Sequence, residues 1–176
     1  MTRGVREVLP TLADKSVDLV LTDPPYDLPQ DFKEWCHNHF LRVSRHGVIV
    51  FCPPENQWIL PASQYLFWIK PISTKNTSKS YSRFVEMILT YNTTAWNAGR
   101  HWSQYTNVFM DLVDDATLHP YRKPPSMITR LILNHSIPGD TILDPFAGSD
   151  VVADVCKATG RSCISSDISW DTIHHA

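Results

Sequence analysis

The sequence contains neither a long hydrophobic run nor a marked excess of charge of one sign. Its 176 residues include 16 Lys and Arg against 18 Asp and Glu, which gives a formal net charge of −2. A nucleic-acid interface on such a chain has to be a local patch, because the molecule as a whole is not basic. No run of residues is long and apolar enough to cross a membrane, and no signal peptide is recognisable. We therefore expect a cytoplasmic protein that does not contact a membrane.

Cysteine is also scarce, and its spacing argues against a disulfide framework or a zinc site. The four cysteines, Cys36, Cys52, Cys156 and Cys163, include no Cys-x-x-Cys pair, and three of the four lie in apolar patterns typical of buried free thiols. Residues 36–39 read Cys-His-Asn-His, but they lie in a helical pattern in which the side chains diverge. We expect no metal site.

The pattern of apolar residues predicts one α/β domain. The length suits a single hydrophobic core, and no internal repeat or low-complexity tract divides the chain. Buried strands are predicted at residues 17–22, 48–52, 66–70 and 84–91, the last of them possibly antiparallel. One helical stripe runs from Phe32 to near Gly47 after a capping-box spacing at Asp31 and Glu34. Another is predicted to be capped by Ser126 and to close at residues 138–139.

The most informative residues are Asp23-Pro24-Pro25-Tyr26, which follow the apolar run of residues 17–22. In open α/β sheets the carboxyl ends of the strands are where ligands bind. An acid and a backbone carbonyl can accept hydrogen bonds from a planar amino group, while a tyrosine can stack on the ring that bears it. Asp-Pro-Pro also occurs in ordinary turns, so these four residues alone do not decide the function.

A second strand-and-turn pattern lies near the other end of the chain. Residues 141–149 read Thr-Ile-Leu-Asp-Pro-Phe-Ala-Gly-Ser, a strand that runs into a turn containing Gly148. A helix follows, with Val151, Val152, Val155 and Ala158 on one face and Gly160 as its stop. The next strand ends at Asp167, about 20 residues after the turn, where an acid can accept hydrogen bonds from ribose hydroxyls. Strand, glycine turn, helix, strand and acid together are typical of the nucleotide-binding half of a Rossmann-like sheet.

These motifs resemble those of the class beta DNA amino-methyltransferases, which modify adenine N6 or cytosine N4. Asp-Pro-Pro-Tyr and Asp-Pro-Phe-Ala-Gly-Ser match the two hallmarks of the family, in the class that has the catalytic motif first and the S-adenosylmethionine motif last. Residues 16–22, 68–71, 83–86 and 119–124 match further segments in the family's order. The resemblance extends from about Glu7 to Ser169.

The resemblance implies a Rossmann-like S-adenosylmethionine-dependent methyltransferase fold with permuted motif order and a mixed central sheet flanked by helices. It implies one methyltransferase domain over residues 1–176, with a catalytic half at about 5–118 and a cofactor half at about 119–176. The catalytic residues would be Asp23, Pro24, Pro25 and Tyr26. The cofactor residues would be Lys123, beside the amino-acid end, Asp144, Pro145, Phe146, Ala147, Gly148 and Ser149 in the turn, and Asp167 at the ribose.

The implied partner is DNA, with the exocyclic amino group of a flipped-out base as the methyl acceptor. Asp at the first motif position favours adenine, since cytosine-modifying relatives more often have Ser there. Two polar or aromatic loop segments are candidate nucleic-acid contacts through Lys75, Lys79, Arg100 and Trp102. The other interpretation is that they are surface loops whose aromatic rings pack on the sheet. The gap before the cofactor half is too short for a separate target-recognition domain, so a homodimer or a partner subunit is a candidate source of target recognition.

Three departures from the family pattern leave other functions open. Asp150 stands where the family usually has Gly, and it is either a residue of the first helical turn or an obstacle to the cofactor. Gly4 stands where an acidic residue is common, in what we expect to be a strand. The chain also stops soon after Asp167, so part of the family's adenine-binding wall would be either missing or supplied by a partner subunit. The alternatives are a catalytically impaired cofactor- or nucleic-acid-binding relative and a methyltransferase acting on RNA or a protein amide.

Overall fold

The structure is a computed structural model that describes residues 4–70, 83–93, 101–112 and 122–166, with the backbone alone of Trp102. These residues form a mixed sheet in the order β5-β3-β4-β2-β1-β6-β7. The strands are β1 (Val17–Thr22), β2 (Ser44–Cys52), β3 (Gln64–Ile69), β4 (Val85–Tyr91), β5 (Val108–Phe109), β6 (Thr141–Asp144) and β7 (Ser162–Ser165). The helices are α1 (Val5–Val8), α2 (Gln30–Val43), α3 (Pro125–His135) and α4 (Val151–Thr159), with 3-10 turns at Leu9–Thr11 and Trp102–Tyr105.

Strand β1 lies inside the sheet between β2 and β6, where the direction of winding reverses. It pairs in parallel with β2 on one side and with β6 on the other. The chain leaves β1 toward β2 and returns much later to build β6 and β7 on the opposite side. Ligands in open α/β sheets bind at such a reversal, beyond the carboxyl ends of the strands. Strand β4 is antiparallel to both β2 and β3, so the mixed sheet is confirmed.

The sheet is covered on both faces, and this explains why the predicted strands read as continuous apolar runs. All six residues of β1 are buried. Val17 and Val20 pack in one core with Cys36 and Phe40 of α2. Leu19 and Leu21 pack in a second core with residues of α3 and α4.

Several predicted helix boundaries were wrong, because adjacent residues overrode the capping or stop signal on which each prediction relied. Helix α2 begins at Gln30 after Pro29, and no side chain caps it, so Asp31 and Glu34 do not form a capping box. The helix stops at Val43, and β2 starts at once. Gly47 is therefore a strand residue and not a helix stop.

The other helices show corrections of the same kind. Pro124 occupies the N-cap of α3, and the Ser126 hydroxyl instead donates a hydrogen bond to Asp111 at 2.6 Å. Ala158, predicted on the buried face of α4, is exposed, and Cys156 is buried there with Val151, Val152 and Val155. Residues 5–8 form a helix, where a strand was expected. Gly160 ends α4 in a left-handed conformation, as predicted.

All four cysteines are free in the structure, and Cys36, Cys52 and Cys156 are buried. In the described parts of the chain, no cluster of three His, Cys, Asp or Glu side chains could hold a metal ion. The helices within those parts are too short or too polar to span a membrane.

Among the glycines that the structure describes, Gly47 leaves the least room for a side chain, and this predicts the effect of substituting it. It adopts a φ of +133°, and a Cβ atom there would lie 2.5 Å from the main-chain oxygen of Tyr91. We expect Gly47→Ala to lower the free energy of unfolding by about 2–5 kcal/mol, from backbone strain together with a contact that β4 cannot relieve.

Gly139→Ala is the matched control, because Gly139 also has a positive φ but nothing within 4 Å of the added Cβ. The free energy of unfolding of Gly139→Ala should fall only by the cost of backbone strain, about 1–3 kcal/mol. Urea unfolding of the two variants measures the difference. Equal losses would show that the contact with Tyr91 does not matter.

Candidate active site

The two turns predicted to carry function lie side by side at the carboxyl edge of the sheet. Asp23 follows β1 and Pro145 follows β6, and the two strands are neighbours. Together the turns line one pocket with a cavity volume of about 120 Å³. The lining residues are Thr22, Asp23, Phe51, Lys123, Ile128, Asp144, Phe146, Ala147, Gly148, Ser149, Val151 and Val152.

The Asp23 carboxylate is held by two other side chains of the site. Lys123 Nζ lies 2.8 Å from Asp23 Oδ2, and the Tyr26 hydroxyl donates a hydrogen bond to Asp23 Oδ1 at 3.1 Å. Lys123 also donates to the Tyr26 hydroxyl at 3.0 Å. Burial raises the pKa of the Asp23 carboxyl above its usual value, and the Lys123 ammonium opposes the shift without cancelling it. The side chain is 30% exposed, so one side of the carboxylate stays accessible.

Glu86 is a site residue that the sequence did not single out as functional. Its Oε2 lies 2.8 Å from Lys123 Nζ, and its Oε1 contacts Lys70 Nζ. Burial alone would raise the pKa of Glu86, but the Lys123 and Lys70 ammonium groups outweigh it and hold that pKa below its usual value. The two carboxylates likewise raise the pKa of Lys123 against the effect of its burial. Asp23, Glu86, Lys70 and Lys123 thus form a buried cluster of two acids and two cations.

Asp144 at the end of β6 organises the second turn. Its Oδ1 accepts hydrogen bonds from Thr22 Oγ1 at 2.8 Å and from the Phe146 amide at 3.2 Å. Burial raises the pKa of Asp144 to about 8, and these hydrogen bonds oppose the shift only in part. The Ala147 amide donates to the main-chain oxygen of Ser166 at 3.0 Å, which ties the turn to the end of β7.

The turn needs two left-handed residues before α4 begins. Gly148 has φ +49° and Asp150 has φ +56°. Asp150 is the N-cap of α4, not a residue of its first turn, and its side chain makes no capping hydrogen bond. Left-handed backbone is strained for residues other than glycine, although Asp tolerates it better than most.

The structure brings together most of the predicted residues that it describes. Pro24 is buried and Pro25 is exposed in the first turn, between Asp23 and Tyr26. Lys123 lines the pocket, although its ammonium contacts Asp23 and Glu86. The candidates Lys75, Lys79, Arg100 and Asp167 lie outside the described residues. Trp102 opens a 3-10 turn.

Glu86 and Lys70 are the residues of the charge cluster that the sequence did not predict. Glu86 is buried at the second position of β4, where the apolar pattern predicts a side chain without charge. A buried acid within a strand is rare unless it is paired, and this could have served as a signal. Its partners, Lys70 and Lys123, are distant in sequence and could not have been found that way.

The chain matches the family model described as DNA methylase over residues 60–176. Among curated proteins, it is 23% identical to type II methyltransferase M.HpaI of Haemophilus parainfluenzae, over 97% of this chain and 70% of that protein. It is 44% identical over 62 residues to DNA adenine methyltransferase YhdJ of Escherichia coli (strain K12), which is 35% of this chain and 21% of that protein.

Two solved structures share the fold. The complex of M1.HpyAVI with SAM superposes with a TM-score of 0.72 at 22% identity, and covers 95% of this chain and 92% of that one. The cytosine-N4-specific PvuII DNA methyltransferase superposes with a TM-score of 0.71 at 16% identity, and covers 94% and 80%. The Rossmann-like fold of the S-adenosylmethionine-dependent methyltransferases is thereby confirmed.

The buried charge cluster predicts a pH-dependent loss of stability when Lys123 is removed. Lys123→Met leaves Asp23 and Glu86 without the cation that lies between them. The pKa of Asp23, already raised by burial, should rise further. A carboxyl whose pKa is raised by folding stabilises the protein at low pH and loses that contribution as the pH rises.

The deficit in unfolding free energy relative to the wild type should therefore be small near about pH 5 and reach about 3–5 kcal/mol near about pH 8. Urea unfolding at the two pH values measures it. Lys70→Met is the control, because it leaves the ion pair between Lys123 and Asp23 intact and should show a smaller pH-dependent change. A deficit that does not depend on pH would contradict the role assigned to the cluster.

Proposed function

The chain belongs to the DNA methylase family, and on that premise we propose that it transfers the methyl group of S-adenosylmethionine to the exocyclic amino group of a base in DNA. The observation that supports the proposal is that Asp23 and the Pro145–Ser149 turn line the same pocket. A methyl donor and an acceptor must be held within contact distance, and such positioning accounts for much of the rate of a transfer reaction.

The residues of the pocket fit the cofactor. Phe51, Ile128 and Phe146 provide apolar walls. Lys123, proposed to lie beside the amino-acid end of the cofactor, lines the same pocket with its ammonium group directed at Asp23 and Glu86. The turn before α4 lets a ligand approach the main chain at Gly148, which has no side chain. S-adenosylmethionine supplies a methyl group bonded to a positively charged sulfur. We propose that Asp144, Pro145, Phe146, Ala147, Gly148 and Ser149 hold it, with Asp167 at the ribose.

The chemistry requires the amino group of the base to become a nucleophile. Its lone pair is delocalised into the ring, and hydrogen bonds from its two N–H groups to Asp23 and to the main-chain oxygen of Pro24 would favour a tetrahedral nitrogen. The nitrogen then forms a bond to the methyl carbon, the carbon–sulfur bond breaks with its electrons left on sulfur, and one proton leaves the nitrogen. Asp23 is placed to accept that proton, because burial raises its pKa.

Tyr26 is proposed to stack on the flipped base. Its hydroxyl is already engaged by Asp23 and Lys123, so the side chain also orients the acid. Adenine is the proposed target rather than cytosine, on the ground that Asp23 opens the motif. YhdJ is named as an adenine methyltransferase and the PvuII enzyme as cytosine-N4-specific, so the relatives include both kinds. DNA contacts by Lys75, Lys79, Arg100 and Trp102, and target recognition by a second subunit, are further parts of the proposal.

The test is transfer of a labelled methyl group to DNA, followed by mass spectrometry of the nucleosides. We expect the labelled nucleoside to be N6-methyl-2′-deoxyadenosine. RNA and protein, tested as acceptors in parallel, should stay unlabelled. Asp23→Ala should lower turnover by at least about 10²-fold, because it removes the acceptor of the amino hydrogen bonds. Its affinity for S-adenosylmethionine, measured by calorimetry, should change little.

Asp27→Ala is the matched control, since Asp27 is an exposed acid four residues further along the chain. It should turn over like the wild type. Near-normal turnover of Asp23→Ala would remove Asp23 from the mechanism, and label in RNA or protein alone would replace the proposed substrate.

A catalytically impaired relative is the second candidate, and Asp150 is the observation that favours it. Its left-handed conformation at the N-cap suits glycine, the residue usual in the family, and its carboxylate adds negative charge beside the cofactor turn. Asp150→Gly should therefore raise the melting temperature of the free protein by relieving backbone strain of about 1 kcal/mol. It should also tighten S-adenosylmethionine binding, measured by titration. If the affinity for S-adenosylmethionine is unchanged, Asp150 is a tolerated N-cap residue. If only Asp150→Gly binds S-adenosylmethionine, the catalytically impaired relative becomes the better supported of the two functions.

A further inference from the structure

Helix α2 contains a buried lysine that lies behind the catalytic turn. Lys33 is only 3% exposed, and its Nζ donates hydrogen bonds to Asn56 Oδ1 and, at 3.3 Å, to the main-chain oxygen of Gln57. Among the residues that the structure describes, no carboxylate forms an ion pair with it. Taking an ammonium group out of water costs several kcal/mol, and here no opposite charge offsets it. A methionine of similar length would fill the space without that cost.

The ammonium group determines which way the Asn56 amide points. An ammonium only donates hydrogen bonds, so the oxygen of the Asn56 side chain has to face Lys33. The nitrogen of the same amide then faces the opposite direction, where it donates to the main-chain oxygen of Tyr26. Lys33 and Asn56 therefore form a two-step chain of hydrogen bonds that ends on the catalytic turn.

The contacted carbonyl belongs to the residue whose side chain reaches the reacting groups. The Tyr26 hydroxyl lies 3.1 Å from Asp23 Oδ1 and 3.0 Å from Lys123 Nζ. Neither Lys33 nor Asn56 lines the pocket, so they can act on it only through the position of the turn. Displacing a catalytic group by about 1 Å can lower a rate by about 10²-fold.

We propose that Lys33 and Asn56 are positioning residues that hold the main chain of Tyr26, and with it the orientation of Asp23, for methyl transfer. The proposal rests on the function proposed above. It assigns a role in turnover to two residues that touch neither the base nor the cofactor, and it explains why a buried ammonium is present without a counter-ion.

Asn56→Asp separates positioning from stability. The new carboxylate can still accept from Lys33, now as an ion pair, so the free energy of unfolding should stay the same or increase. The carboxylate has no N–H group to donate to Tyr26, however, and it places a carboxylate oxygen against the main-chain oxygen of Tyr26. We expect kcat to fall about tenfold, a loss well within the range for a displaced catalytic group, with unchanged affinity for S-adenosylmethionine.

Lys33→Met tests the other end of the chain of hydrogen bonds, because it keeps the length of the side chain and removes the charge. The Asn56 amide is then free to turn, and kcat should again fall about tenfold without a loss of stability. Lys15→Met is the control, at an exposed lysine. Lys15 Nζ likewise donates to two main-chain oxygens, of Leu41 at 3.0 Å and of Ser44 at 2.7 Å, but it precedes β1 at the opposite edge of the sheet. Its kcat should equal that of the wild type.

Two measurements decide the proposal. The first is methyl transfer from labelled S-adenosylmethionine to unmethylated genomic DNA. The second is the ¹³Cζ resonance of Tyr26 in protein with labelled tyrosine, assigned by its absence in Tyr26→Phe, which reports the surroundings of the hydroxyl without any need for turnover. We expect both to change in Asn56→Asp and Lys33→Met and neither to change in Lys15→Met.

An unmoved Tyr26 resonance in both variants would overturn the proposed contact, and a moved resonance with kcat within twofold of the wild type would overturn its role in turnover. A lower kcat in Lys15→Met as well would also overturn it, since the effect would then be general. If the wild type transfers no methyl group to DNA, the proposed function fails, while the resonance still decides whether Lys33 and Asn56 hold Tyr26.

Discussion

The parallel pairing of β1 with β6 is the constraint on which the rest of the site depends. Two residues in hydrogen-bond contact across it, Thr22 and Asp144, are separated by 122 positions in the chain. Because the strands are parallel neighbours, both end at the same edge, and the turns that follow them have to face one another. Asp23 and Gly148 therefore line a single pocket although they belong to opposite ends of the chain. The pairing also makes this edge the point where the winding of the sheet reverses.

Opposing charges in the pocket are kept in balance by residues from several elements. Asp23 follows β1, Glu86 lies on β4, Lys70 follows β3 and Lys123 precedes α3. Each carboxylate has an ammonium within contact distance, so the attraction between them offsets part of the cost of burying the cluster. In a low dielectric such groups act strongly on one another, and the pKa values of Asp23 and Glu86 move in opposite directions. The surroundings of Asp23, and not its own identity alone, set the pKa of its carboxyl.

Much of the fold could be predicted from local patterns. Strand β1 was predicted with its observed bounds and β4 to within one residue, because a strand buried on both faces reads as an apolar run. The end of α4 at Gly160 followed from the left-handed cap. Helix starts were harder, because Ser126 and Asp31 have capping side chains but the prolines before them occupy the cap. The extension of β2 back to Ser44 depended on pairing with β1, which no local signal contains.

The sequence by itself determined the two turns that line the pocket, their strands and the family of the chain, since these depend on residue order over a few positions. Tertiary structure alone decided that Lys123 contacts Asp23, that Glu86 belongs to the site, and that Lys33 reaches Tyr26 through Asn56. It also decided that Asp150 is a strained cap and not a residue of the first turn. The physical reason is the sequence separation of the interacting groups. A turn or a strand is specified by residues that are neighbours in sequence. A buried ion pair or an oriented amide depends on groups that come together only when the sheet is assembled.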